Sequence, residues 1–392
     1  MTRSAEPPGV ARPPGPATDR SWRVRAEQAQ EAVLPSGRVV ASCPAPYGVG
    51  GLGRHFRELV GALDRRGQAR VCICAAPVLP SASVTRRGLL ARAADAALEA
   101  PPLRLGNARR VLNASVAFDA QAARRLPAAD HLIAFNGTAL VQFGAARQAG
   151  FESLSLVSAT AHLRRVVRQY ARAYKQYPLE GSWAPRVAKR TLLEYGGADR
   201  IYVSSPYARQ SFLEEGVGER VLVTFPLTPD PRYAVDRPER SSTTFDIVYV
   251  GALTVVKGVP LLIDAVRALP HPDIRLTMVG GWASRGMRRF VERACAEDPR
   301  IATVHGDPLP HVRSARLSVH PTFSDGFGYA ALEAVSCGVP VIVSEDTGMK
   351  HLIDGERSQG LVLPTGDLPA LIEAIDAAYR GEILASFARS GH

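Results

Sequence analysis

The stretch HPTFSDGFGYAALEAVSCGVPVIVSEDTG, residues 320–348, carries two carboxylates eight positions apart, Asp325 and Glu333. It begins inside one apolar run, RLSVHP, and ends in another, VPVIVSE. Both have the length and β-branched content of buried strands. Gly326 and Gly328 interrupt regular structure between them, and residues 328–337 then read as a helix. Strand, glycine loop, helix and strand in that order is the building unit of a parallel α/β sheet. Spacing alone leaves the carboxylates open to two readings. They are the acids of an ordinary helix end, or they accept hydrogen bonds from a polyhydroxylated ligand while helix-start amides face a phosphate.

The same unit recurs in both directions along the chain. Strands are expected at FDIVYVG (245–251), RLTMVGG (275–281), IATVHG (301–306) and LVLP (361–364), with helices between them and another from about residue 368. Toward the N-terminus, RVVAS (38–42) and RVCICAA (70–76) flank a glycine loop and a helix with Phe56, Leu59, Val60 and Leu63 on one face and Gly67 at its end. HLIAF, SLSLVSAT, RIYV and VLVTF continue the series, and Ser204 or Ser205 with Pro206 marks a helix start. Residues 81–128 are Ala- and Arg-rich and read as helical. The fold class is therefore α/β, with two Rossmann-like, doubly wound parallel sheets facing each other across a cleft. The boundaries read as a disordered leader over 1–37, rich in Pro and Arg, a first domain over 38–230, a linker over 231–242 and a second domain over 243–392.

Composition narrows the function. A net charge of +11 is concentrated in the first 230 residues, and the remainder is slightly acidic. A basic half suits an anionic partner; an arginine-rich composition, with only Lys175, Lys189, Lys257 and Lys350 as lysines, accounts for it equally well. No apolar run reaches the ~20 residues of a membrane span, and no signal peptide is seen. Cys43, Cys72, Cys74, Cys295 and Cys337 form no CxxC pair and read as reduced thiols of a cytoplasmic protein. His305, His311 and His320 show no metal-ligand spacing. No nucleic-acid motif accompanies the charge. GVGGLGRHF partly fits a dinucleotide fingerprint, but no acidic residue closes the next strand, which places an oxidoreductase well behind.

Residues 324–348 resemble the signature of the retaining GT-B glycosyltransferases of the group 1, or family 4, class. Ser324, Gly326, Phe327, Gly328, Glu333, Ala334, Gly338, Pro340, Val341 and Ile342 fall in register with that pattern. Asp325 stands where the family usually has Glu. VYVGALTVVKGVPLLIDAV, 248–266, resembles the segment in which Gly251 and Lys257 face the donor diphosphate. Ala252 occupies the place of a frequent arginine, and Lys350 or an arginine of the first domain is available to compensate. Gly50 and Gly51 match the glycine pair of the first loop. His162, in VSATAHLRR, stands where a histidine contacts the donor sugar; a helix-start histidine is the other reading. A further family helix that crosses back to the first domain is expected to be short or missing after FARSGH.

The resemblance implies transfer of a sugar from a nucleotide-sugar donor, with no cofactor and no metal. Glu333 is assigned to the ribose, Asp325 and His162 to the donor sugar, and Lys257, Gly50, Gly51, Gly251, Gly326, Phe327 and Gly328 to donor binding. The acceptor is open, with a lipid-linked or phosphorylated molecule as candidate. The basic region 162–190 interleaves Arg164, Arg165, Arg168, Arg172 and Lys175 with Val166, Val167, Tyr170 and Tyr174. It suits either an anionic membrane face, making the protein peripheral, or a solvated flank of the domain. A non-catalytic sugar-nucleotide-binding or scaffold protein is the alternative, suggested by Ala252 and Asp325.

Overall fold

The computed structural model describes residues 20–74, 82–84, 107–182, 184–234, 243–353 and 359–382. Among them, two sheets form, each wholly parallel. The first has seven strands in the order β3-β2-β1-β4-β5-β6-β7: β1 Val39–Cys43, β2 Ala69–Cys74, β3 Ala82–Val84, β4 His131–Phe135, β5 Ser153–Ser158, β6 Arg200–Val203 and β7 Leu222–Thr224. The second has six strands in the order β10-β9-β8-β11-β12-β13: β8 Phe245–Val250, β9 Ile274–Val279, β10 Ile301–Val304, β11 Leu317–His320, β12 Val341–Ser344 and β13 Gly360–Leu363. Every residue of β1, β4 and β12 is buried, as expected of strands covered by helices on both faces.

In each sheet the strand order reverses once, between β1 and β4 and between β8 and β11. These switch points are where ligands bind in doubly wound sheets, outside the carboxyl ends of the strands. The glycine loop follows β1, Lys257 follows β8 and Asp325 follows β11, so the topology alone directs all three to the crevice side.

Helix α1 spans Arg20–Ala32 and α2 spans Gly50–Arg65. Within α2, Phe56, Leu59, Val60 and Leu63 are buried, as their spacing predicts. The remaining helices cited below are α3 Asn107–Ala123, α4 Leu140–Gln148, α5 Leu163–Gln176, α6 Ala184–Gly197 and α7 Pro206–Glu214 in the first domain. Ser205 is the N-cap of α7, accepting a hydrogen bond from the Ala208 amide. In the second domain they are α8 Val259–Ala268, α9 Arg285–Glu297, α10 Leu309–Ser314 and α11 Tyr329–Ser336.

Helix α1 corrects part of the expected leader. Ala26, Gln30 and Leu34 are buried one turn apart, and Gln30 Nε2 donates to Pro226 O at 2.8 Å. Residues 1–19, most of the expected linker (235–242), residues 85–106 and residues 383–392 lie outside the described residues.

Candidate active site

The loop after β11 brings Asp325 to the end of the sheet. Its Oδ2 lies 2.5 Å from Lys257 Nζ, carried by the short 3-10 turn Val255–Lys257 after β8. Each side chain is about 30% exposed, so the pair faces the crevice. Gly258, with φ +73°, follows Lys257, and a Cβ there would stand 2.0 Å from Pro321 O. A residue without a side chain is therefore needed to bring the Lys257 turn against the end of β11. Behind the pair, half-buried His320 is held neutral: desolvation is the main cause, and its pKa falls to about 4. Buried Tyr170 and Tyr249 are pushed upward, first by burial and then by the Asp325 charge.

Gly328 is the N-cap of α11 and has φ +98°, a left-handed conformation that favours glycine. One turn on, Glu333 is nearly buried, and its Oε1 lies 2.5 Å from Arg54 Nη2 of α2 in the other domain. Burial raises the Glu333 pKa, and the Arg54 charge opposes the rise. The Arg54 guanidinium also stacks 4.4 Å from the Tyr329 ring centroid. Tyr329 in turn donates from its hydroxyl to Glu58 Oε1 at 2.6 Å. Gly51 faces this ring: a Cβ at 51 would lie 4.0 Å from Tyr329 Cδ2. The first glycine loop and the start of α11 thus meet across the crevice.

Lys257, Asp325, Gly328, Glu333 and the Gly50–Gly51 turn lie along the seam between the domains, while Phe327 is buried in the core. Gly251 sits at the end of β8, where Tyr249 donates from its hydroxyl to Ala252 O at 2.8 Å. Gly326 admits the first domain more than a ligand: a Cβ there would lie 2.4 Å from Ala159 O, and Ser205 Oγ donates to Gly326 O at 2.6 Å.

His162 has the geometry of its other expected reading, a helix-start histidine. It is the buried N-cap of α5, with Nδ1 accepting from the Arg164 amide. Its ring packs 4.9 Å from both Tyr195 and Phe212, and burial drops its pKa to about 4.

The basic helix α5 uses its apolar side within the protein. Leu163, Val166, Tyr170 and Ala173 are buried. Arg164 and Arg168 both reach Glu215, and Arg165 joins Glu214 and Asp346. Among the described residues no helix is long and apolar enough to cross a membrane. Nor do any three or more His, Cys, Asp or Glu side chains gather where they could hold a metal ion.

Sequence reading did not single out Arg54, Glu58, Tyr329 or Asp346. Arg54 alone had a local signal, a cation in the first turn after the glycine loop.

A family model described as glycosyl transferases group 1 matches residues 244–380. That match covers about a third of the chain, the second domain alone. It contains Lys257, Asp325 and Glu333. The O-antigen chain mannosyltransferase B of Escherichia coli is 32% identical over 133 residues, covering 32% of this chain and 34% of that protein. A D-inositol 3-phosphate glycosyltransferase of Salinispora tropica is 31% identical over 202 residues, 46% of this chain and 40% of that protein. The chain spans about a third of the length of the first curated relatives it matches. Similarity in shape is more extensive and includes the first domain. Sucrose-phosphate synthase from Thermosynechococcus elongatus superposes with a TM-score of 0.66 at 19% identity, over 90% of this chain and 92% of that one. Anabaena HepE in complex with UDP-glucose gives 0.61 at 16%, over 90% and 94%. The second domain and its N-terminal partner together have the GT-B fold.

Proposed function

We propose that the protein is a glycosyltransferase that moves a sugar from a nucleotide-sugar donor to an acceptor with retention of anomeric configuration. The observation that carries this reading is the Lys257–Asp325 pair at the switch point of the second domain, with Glu333 one turn into the next helix. The cation suits a diphosphate and the carboxylates suit hydroxyls. The names of the relatives, all transferases of glycosyl groups, support the same chemistry.

In this reading the donor sugar binds over Asp325, which accepts from its hydroxyls, and Glu333 accepts from the ribose. Lys257, with the amides at the start of α11, stabilises the charge that develops on the diphosphate. The bond from the anomeric carbon to the phosphate oxygen breaks as the acceptor oxygen bonds on the same face. The acceptor proton passes to the leaving phosphate oxygen. The protein supplies position and charge, with no bound metal in these steps. Work on cell-envelope polysaccharide, glycolipid or secondary metabolites is the corresponding role, at a cytoplasmic site.

A thermal-shift panel of UDP-, GDP-, ADP- and dTDP-sugars tests the reading, followed by product detection with the best binder. Stabilisation by one nucleotide class and a retained anomer are expected. No stabilisation by any of them overturns it.

A further inference from the structure

The two carboxylates of the crevice each hold a cation, but they hold it differently. Lys257 and Asp325 come from the same domain and form a partly exposed pair. Arg54 and Glu333 come from opposite domains and are largely buried, at 18% and 3% exposure. The second pair is poorly matched. A guanidinium and a carboxylate can share two parallel hydrogen bonds. Here Arg54 Nη2 lies 2.5 Å from Glu333 Oε1 without meeting hydrogen-bond geometry at that oxygen. Arg54 Nε is buried without a hydrogen-bond partner, and so is Glu333 Oε1. Leaving such groups unspent costs free energy.

A ligand bearing both hydroxyls and phosphate relieves both groups at once. Hydroxyls donate to Glu333, and phosphate oxygens accept from the freed Arg54 fork. The guanidinium is well placed for this exchange. It leaves the first turn of α2, beside Gly50 and Gly51, and lies over Tyr329, the residue after Gly328. Tyr329 is itself pinned by Glu58, so the platform beneath the guanidinium is fixed. On the facing loop, position 252 offers only an exposed methyl group, which leaves Lys257 as the cation of that loop.

We infer that Arg54 is a donor-binding residue for the nucleoside diphosphate, exchanging its Glu333 contact for phosphate when the donor enters. The inference rests on the transferase reading, in which Glu333 meets donor hydroxyls. It assigns one diphosphate cation to each domain, so that binding the donor also draws the domains together.

The test is titration of the full chain with UDP, GDP, ADP and dTDP and with the matching nucleosides, comparing wild type, Arg54→Ala and Arg54→Lys. Loss of a charge-assisted contact predicts that Arg54→Ala weakens the preferred diphosphate by about tenfold or more. Nucleoside affinity is kept or improves, because Glu333 loses its competitor. Arg54→Lys keeps the charge without the fork and falls between. If Arg54→Ala does not fold, Arg54→Lys decides the matter, with a weaker diphosphate and an unchanged nucleoside. Equal loss for both ligands, or no loss of diphosphate, overturns the inference alone. A wild type that binds no nucleotide overturns the transferase reading and this inference with it.

Discussion

Arg165 Nη2, on α5 of the first domain, lies 2.9 Å from Asp346 Oδ1 just beyond β12 of the second. Asp346 also accepts from Gln169 at 2.7 Å, from Tyr207 at 3.2 Å and from Thr365 at 2.8 Å. A buried carboxylate at a domain seam is tolerable only when surrounded in this way. Arg165→Ala strips it of its charged partner and is expected to cost about 3 kcal/mol of stability. The urea midpoint reads this directly, and Arg165→Lys should recover part of it.

Lys257 and Asp325 should behave oppositely. Their pair is partly exposed, so its contribution to folding is about 1 kcal/mol or less. Lys257→Ala should leave the urea midpoint almost unchanged while weakening nucleotide-sugar binding by about tenfold or more. A variant that binds donor normally would remove Lys257 from the site.

Three desolvated histidines set an acid limit. Burial holds His55 at a pKa of about 3 and His162 and His320 at about 4. In the unfolded chain each titrates near ~6.5. Between those values the unfolded state binds more protons, so stability rises with pH. It is fully present above the unfolded value and is lost as pH falls toward 4. Denaturation at pH 7, 6 and 5 should show a steadily lower midpoint. His55→Phe, between Phe135 and Phe225, should flatten that decline.

Gly326 sets the distance between the domains. A Cβ there meets Ala159 O at 2.4 Å and Thr160 Cα at 2.8 Å, both on the opposite domain. Gly326→Ala is expected to push the domains apart, visible as a larger radius of gyration in X-ray scattering. Gly281→Ala, which meets nothing within 4 Å, is the control and should leave the radius unchanged.

Much of this architecture is legible from local pattern. Buried apolar runs, glycine loops and helical spacing locate the strands and α2, because each is specified by residues a few positions apart. Lys257 and Asp325 share a crevice because both follow strands beside one switch point. What escapes local reading is pairing over long separations. Nothing near Arg54 in the chain names Glu333, and nothing near Arg165 names Asp346. His162 shows another limit: a motif position fixes where a residue sits along the chain, while packing with Tyr195 and Phe212 decides which way its ring turns. Helix α1 was within reach, since Ala26, Gln30 and Leu34 repeat at helical spacing, yet the Pro-rich residues before it dominate the composition.

Glu58 has a wider reach than its place in α2 suggests. Beside the Tyr329 hydroxyl, it accepts from the Thr228 amide at 2.8 Å, from Thr228 Oγ1 at 3.0 Å and from Gln30 at 3.0 Å. One carboxylate thus ties a cleft-lining ring, the segment that leaves the first domain and the N-terminal helix into a truss. Strain applied at any of the three joints is borne by the other two. Trimming the chain back past residue 34 would slacken the crossover, and the loss would be felt at Tyr329, almost 300 residues along the chain.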